Sequence, residues 1–103
     1  MQIEFVEVTS LNVVLGQVVY SKAGRDVGTV FIITGLIDAN YVYISDGNLR
    51  RVENPKKKKI KHLVITKDII ETISEKISTD IRITNAEIRK ALVEIKSTVE
   101  IDE

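Results

Sequence analysis

The sequence predicts a mainly β domain with a C-terminal α region: a small β-barrel or sandwich of about five strands, then two short amphipathic helices. Three observations carry this. Apolar runs at residues 18–20, 30–36, 41–44 and 49–52 are separated by turns bearing Gly, Asp and Asn, and a fifth run at 63–65 follows a block of lysines. Beyond residue 66 the apolar period changes to that of a helix. The strand region alone is about 50 residues, marginal for an unaided core, so the C-terminal third is expected to cover it.

In chain order, residues 1–12 form an N-terminal extension, expected to supply an edge strand. Residues 13–66 are expected to form the strand domain, and residues 67–103 a helical extension ending in an acidic tail at 99–103. Gly16 marks a bend at the entry to the first strand. Gly24 and Gly28 allow the tight reversal of loop 22–28. Residues 29–36 are rich in β-branched and aromatic side chains, a strong strand signal. In the next strand Tyr41 and Tyr43 share one face, with Val42 and Ile44 on the other. Asp46-Gly47-Asn48 reads as a hairpin turn, returning through a strand at 49–52 that carries Arg50 and Arg51. Pro55 ends it. The lysines at 56–59 repel one another and are expected to be a solvated, flexible arm, and residues 60–65 to close the barrel. Ile69, Ile70, Ile73 and Ile77 share a helical face, with Thr66 as the expected cap. Thr84-Asn85-Ala86-Glu87 is a capping box, followed by a second stripe of Ile88, Ala91, Leu92 and Ile95.

The 103 residues carry equal numbers of acidic and basic side chains, and that balance hides a split. Between Gln17 and Lys67, ten basic against four acidic residues leave +6; residues 68–103 carry −4 and residues 1–16 carry −2. A polyanion would meet the strand domain rather than the average. There is no cysteine, which excludes disulfides and thiolate metal sites. No apolar stretch reaches the ~20 residues that span a bilayer, and the acids in MQIEFVEVTS argue against a secretion signal, so the expected location is cytoplasmic.

The string GQVVYSKAGRDVG (residues 16–28) resembles a KOW motif, the strand–loop–strand element of several large-subunit ribosomal proteins and transcription elongation factors. The strings DGNLRRVENPKKKK (46–59), KHL (61–63) and TNAEIRKAL (84–92) resemble bacterial KOW-domain RNA-binding proteins related to an archaeal and eukaryotic large-subunit ribosomal protein. The resemblance implies an SH3-like barrel, RNA binding and a role around the ribosome.

The candidate RNA contacts follow from residue chemistry. Arg50 and Arg51 can fork onto phosphates or stack on bases, or else they neutralise Glu53 or Asp46. Lys56, Lys57, Lys58, Lys59 and Lys61 offer sequence-independent phosphate attraction, or a solvated loop that aids solubility. Lys22 and Arg25 flank amides that Gly24 and Gly28 leave open to an anion, although Arg25 and Asp26 could serve the turn alone. Tyr43, with Tyr20 and Tyr41 behind it, can stack on a base, but so few aromatics commonly serve packing. His62, the sole histidine, fits packing or an RNA contact better than metal binding or general-base work. No carboxylate pairing suits acid–base catalysis, and neither GxxxxGK[ST] nor GxGxxG occurs, so neither an enzyme nor a cofactor is expected. Recognition of RNA shape is expected to supply specificity. Two rivals are a protein-interaction module, with a groove or self-association face on the C-terminal helices, and a transcription-associated KOW protein that binds polymerase.

Overall fold

The structure is a computed structural model that describes residues 13–102, with side chains through residue 95. The expected edge strand in residues 1–12 lies outside the described residues. Five strands form a single antiparallel sheet: β1 (Gln17–Ser21), β2 (Val30–Leu36), β3 (Tyr41–Ser45), β4 (Lys56–Lys59) and β5 (Leu63–Ile69). A 3-10 turn (Ile60–His62) links β4 to β5, and two helices follow, α1 (Glu71–Ser78) and α2 (Asn85–Asp102). No helix among the described residues is long and apolar enough to cross a membrane.

The strand order is β4-β3-β2-β1-β5. β4 and β5 are the two edges and share no ladder, so the expected SH3-like barrel is corrected to an open five-stranded sheet with a helical layer. The sheet is nevertheless bent. Lys59 and Leu63, at opposite edges, are four residues apart, which limits their Cα separation to about 15 Å. Alternation assigns the two faces. On the inner face Val19, Phe31, Ile33, Val42, Ile44 and Leu63 form one buried cluster, joined by Val13 at the chain's entry and flanked by Ile60. On the outer face Ile32 packs with Ile73 of α1 and with Ile88 and Ala91 of α2. Each fully buried Ile or Phe contributes about 1.5–3 kcal/mol relative to exposure, so the two clusters hold the layers together. The C-terminal third therefore does cover the sheet, on its outer face.

Four local expectations are corrected. Residues 49–52 are not a strand. The Asp46 carboxylate accepts from the amides of Asn48 and Arg50, at 3.0 and 2.8 Å, and the amides of Asp46 and Gly47 donate to the Arg50 carbonyl. That local loop uses the groups a ladder would need. The lysine block is not a solvated arm but strand β4, in register with β3 from Tyr41↔Lys59 to Ile44↔Lys56. Lysines on an exposed edge also discourage pairing with a second sheet. Thr66 caps no helix. It lies within β5, where its hydroxyl donates to the Val18 carbonyl at 2.6 Å, and α1 starts only at Glu71. Residues 99–102, expected as a tail, belong to α2, which continues to Asp102.

The capping box forms as its spacing requires. The Glu87 amide donates to the Thr84 hydroxyl at 3.2 Å, and the Thr84 amide to the Glu87 carboxylate at 2.9 Å. Glu87 also pairs with Lys76, tying α2 to α1. α1 ends in a Schellman motif: Ile81 N–H donates to Lys76 and Asp80 N–H to Ile77. The left-handed position, which favours glycine, is held by Asp80 at φ 65°.

Candidate functional site

Three basic segments pack against one another. Loop 22–29 joins β1 to β2, β4 forms the adjoining edge, and the 3-10 turn carries Lys61 and His62. The Lys22 amide donates to the His62 carbonyl at 2.9 Å, which fixes the loop against the turn. The Ile60 amide donates to the Asn40 carbonyl at 2.8 Å, which fixes the turn against the β2–β3 connection. Gly24 and Gly28 both take φ near +85°, as a tight loop needs.

The expected contacts divide by direction. Lys56 and Lys58 oppose Ile44 and Val42, and so point to the inner face. Their stems cover the edge of the core and their ammoniums reach loop 22–29. Lys58 is buried and donates to the Ala23 carbonyl at 3.2 Å. Lys56 reaches the Asp26 carboxylate at 3.3 Å, and Arg50 meets the same oxygen at 3.4 Å. Asp26 is thus a hub that engages two expected RNA contacts. Burial works to raise its pKa, but the hydrogen bond and charge of Lys56, with Arg50 beside it, hold the carboxyl below its ordinary value.

Arg51 pairs with Glu53 at 2.9 Å, and Glu53 also accepts from the Asn85 amide group of α2 at 2.8 Å. The Arg51 hydrogen bond, then that of Asn85, lowers the Glu53 carboxyl to about 2. Asn85 further accepts from the Val52 amide at 2.8 Å, while Arg89 donates to the Gly47 carbonyl at 2.6 Å. Gly47, at φ +79°, lies so close to α2 that a Cβ would sit 2.5 Å from the Asn85 carbonyl oxygen. Much of the DGNLRRVE string therefore docks loop 46–53 onto the start of α2.

Lys57 and Lys59 point the other way. They oppose Tyr43 and Tyr41 on the outer face, beyond the part that the helices cover. The ammonium of Lys57 lies 4.7 Å from the centroid of the Tyr41 ring, and that of Lys59 lies 5.7 Å from it. Each contact is worth about 0.5–1 kcal/mol at an exposed site. Tyr43 is exposed, as are Lys22, Arg25 and Lys61; His62 is half-buried. Among the described residues none of these side chains, nor Lys57 or Lys59, lies in an ion pair.

Sequence reasoning missed three participants. Tyr41 carries no signal in the sequence that sets it above Tyr43, because its two lysine partners appear only once the lysine run is a strand. The sequence offers Asp26 its neighbour Arg25, whereas its partners lie 24 and 30 residues away. Asn85 stood out as part of a capping box, with no local signal for its contacts to Val52 and Glu53. Among the described residues no cluster of His, Cys, Asp or Glu could hold a metal ion. The chain matches no protein-family model and no curated protein, so the KOW resemblance stands on the quoted strings alone.

Proposed function

We propose that the domain binds RNA through its phosphate backbone, along the outer side of β4 and the neighbouring 3-10 turn. The supporting observation is the Tyr41 ring with the Lys57 and Lys59 ammoniums against it and, among the described residues, no carboxylate paired to either. A neutral ring does not cancel the lysine charge, and among the described residues an arriving phosphate has no salt bridge to break. Lys61 lies beside Tyr41 and Lys59 and extends this surface; Lys22 and Arg25 sit in the loop that the inward lysines reach, and Arg50, Arg51, Lys56 and Lys58 serve the fold instead. Phosphate attraction of this kind releases counterions and is therefore salt-dependent.

The test is fluorescence anisotropy of a labelled RNA over a salt series. Lys57→Ala with Lys59→Ala should weaken binding and reduce the log–log salt slope by about 0.7–0.9 per lysine. Arg51→Ala should leave the slope where it was. An unchanged slope in the double variant would remove the basis of the proposal.

A further inference from the structure

We infer that the cleft beside Tyr43 takes one unpaired nucleobase of the bound strand, so that the RNA recognised is single-stranded there. This rests on the RNA-binding proposal above and specifies its ligand. The cleft has a volume of about 690 Å³, within the range of about 300–1,000 Å³ that small-molecule sites occupy. Its walls are the outer face of β3 and the α1–α2 connection, with Tyr43, Val52, Pro55 and Ile81 as apolar lining and Asp80 and Arg82 at the connection.

Three features suit it to a base. First, the Tyr43 ring is seated and still open. A Cβ on Gly35 would lie 3.1 Å from its Cδ2, so the ring rests against the backbone of β2 while the residue stays 40% exposed. Across the cleft Ile81 is an apolar side chain 54% exposed. A flat, weakly polar group between these two would remove both from water. Second, Asp80 and Glu53 line the cleft and can accept hydrogen bonds from the N–H groups of a base, Glu53 in addition to those it takes from Arg51 and Asn85. Third, Lys57 stands directly across the ladder from Tyr43, so a phosphate partner and a stacking partner lie side by side. Within a helical RNA duplex the base faces are stacked and inaccessible, whereas an unpaired base can be splayed onto an aromatic ring.

The experiment uses a short single-stranded RNA carrying one 2-aminopurine, its fully paired duplex, and the same strand with an abasic site replacing the 2-aminopurine. Wild type and Tyr43→Phe should change the 2-aminopurine emission on binding. Both should bind the single strand about tenfold more tightly than the abasic strand, within the range one base stack is worth. Tyr43→Ala should lose both effects while retaining salt-dependent binding. Ile81→Glu, at an exposed position, should fold normally and also lose the emission change, which covers the case in which Tyr43→Ala does not fold. If wild type binds all three RNAs equally, or emission is unchanged, the base-binding cleft is wrong while backbone binding survives. If wild type binds no RNA, both proposals fall.

Discussion

Replacing Gly47 with alanine tests how the basic loop is fixed to the helical layer. Two penalties combine at this position. The first is conformational: φ is +79°, and a left-handed L-residue costs roughly 1–2 kcal/mol. The second is steric. The new Cβ would lie 2.5 Å from the Asn85 carbonyl oxygen and 3.0 Å from Arg89 Cγ. The Asn85 carbonyl belongs to the helix backbone and cannot swing aside, so loop 46–53 must lift. Lifting stretches the Arg89–Gly47 and Val52–Asn85 hydrogen bonds, at about 1 kcal/mol or somewhat more each. The expected loss is about 3–5 kcal/mol, a large part of the ~5–15 kcal/mol that holds a domain folded. Gly28→Ala is the matched control. It has nearly the same φ, +86°, but its Cβ would meet nothing within 4 Å, so only the conformational penalty of roughly 1–2 kcal/mol applies. Urea unfolding of the two variants, compared at equal m-value, measures the difference. Equal losses would refute the close approach of loop and helix.

Other outcomes follow from the same geometry. Asp80→Gly should raise stability by about 1 kcal/mol, since it relieves the left-handed Schellman position; the melting temperature should rise by about 4–8 °C. Lys58→Glu should cost about 3 kcal/mol or more, because it aims a carboxylate at the Ala23 carbonyl from a buried site, whereas Lys57→Glu next to it should lose only the Tyr41 ring contact, about 1 kcal/mol; thermal melts of the pair would show it. Glu53 has a depressed folded pKa, so its contribution is complete above the ordinary value of 4.5 and is lost as pH falls through about 2. Asp26 and Glu87 are shifted the same way, so the melting temperature should fall over that acid range. Glu53→Gln should flatten part of the decline, and an acid limb as steep as that of wild type would exclude its role.

Some of this was legible in the sequence. The capping box was, because its two hydrogen bonds join residues three apart and need no tertiary partner. So were the two faces of β3, where Tyr and aliphatic residues alternate. The lysine strand was not: four identical residues carry no period of two, and mutual repulsion argues for a solvated arm. The decisive interactions are remote, since Val42 and Ile44 need an edge cover and Asp26 and Ala23 need cations. The start of α1 failed for another reason. Ile69 and Ile70 share the helical spacing of Ile73 and Ile77, so periodicity alone starts the helix too early, and the choice falls to β1. Gln17 donates to the Thr66 carbonyl at 2.9 Å and pairs with Ile69, which extends β5 and delays the helix.

The charge pattern shows why composition and surface chemistry must be separated. The excess of +6 between Gln17 and Lys67 treats every cation alike. In the fold, Asp26 binds Arg50 and Lys56, Glu53 binds Arg51, and Lys58 turns inward to a carbonyl. These four are bound from both sides of the lysine–arginine segment, which pins loop 46–53 and β4 in place. The strand geometry then sends every second lysine outward, and those are the two that meet Tyr41 instead of a carboxylate. Inward lysines and outward lysines are thus consequences of one register: a shift of β4 by a single residue would expose Lys56 and Lys58 and bury Lys57 and Lys59. The contacts to Ala23 and Asp26 set that register, so the groups that hold the edge strand also determine which cations an anion can reach.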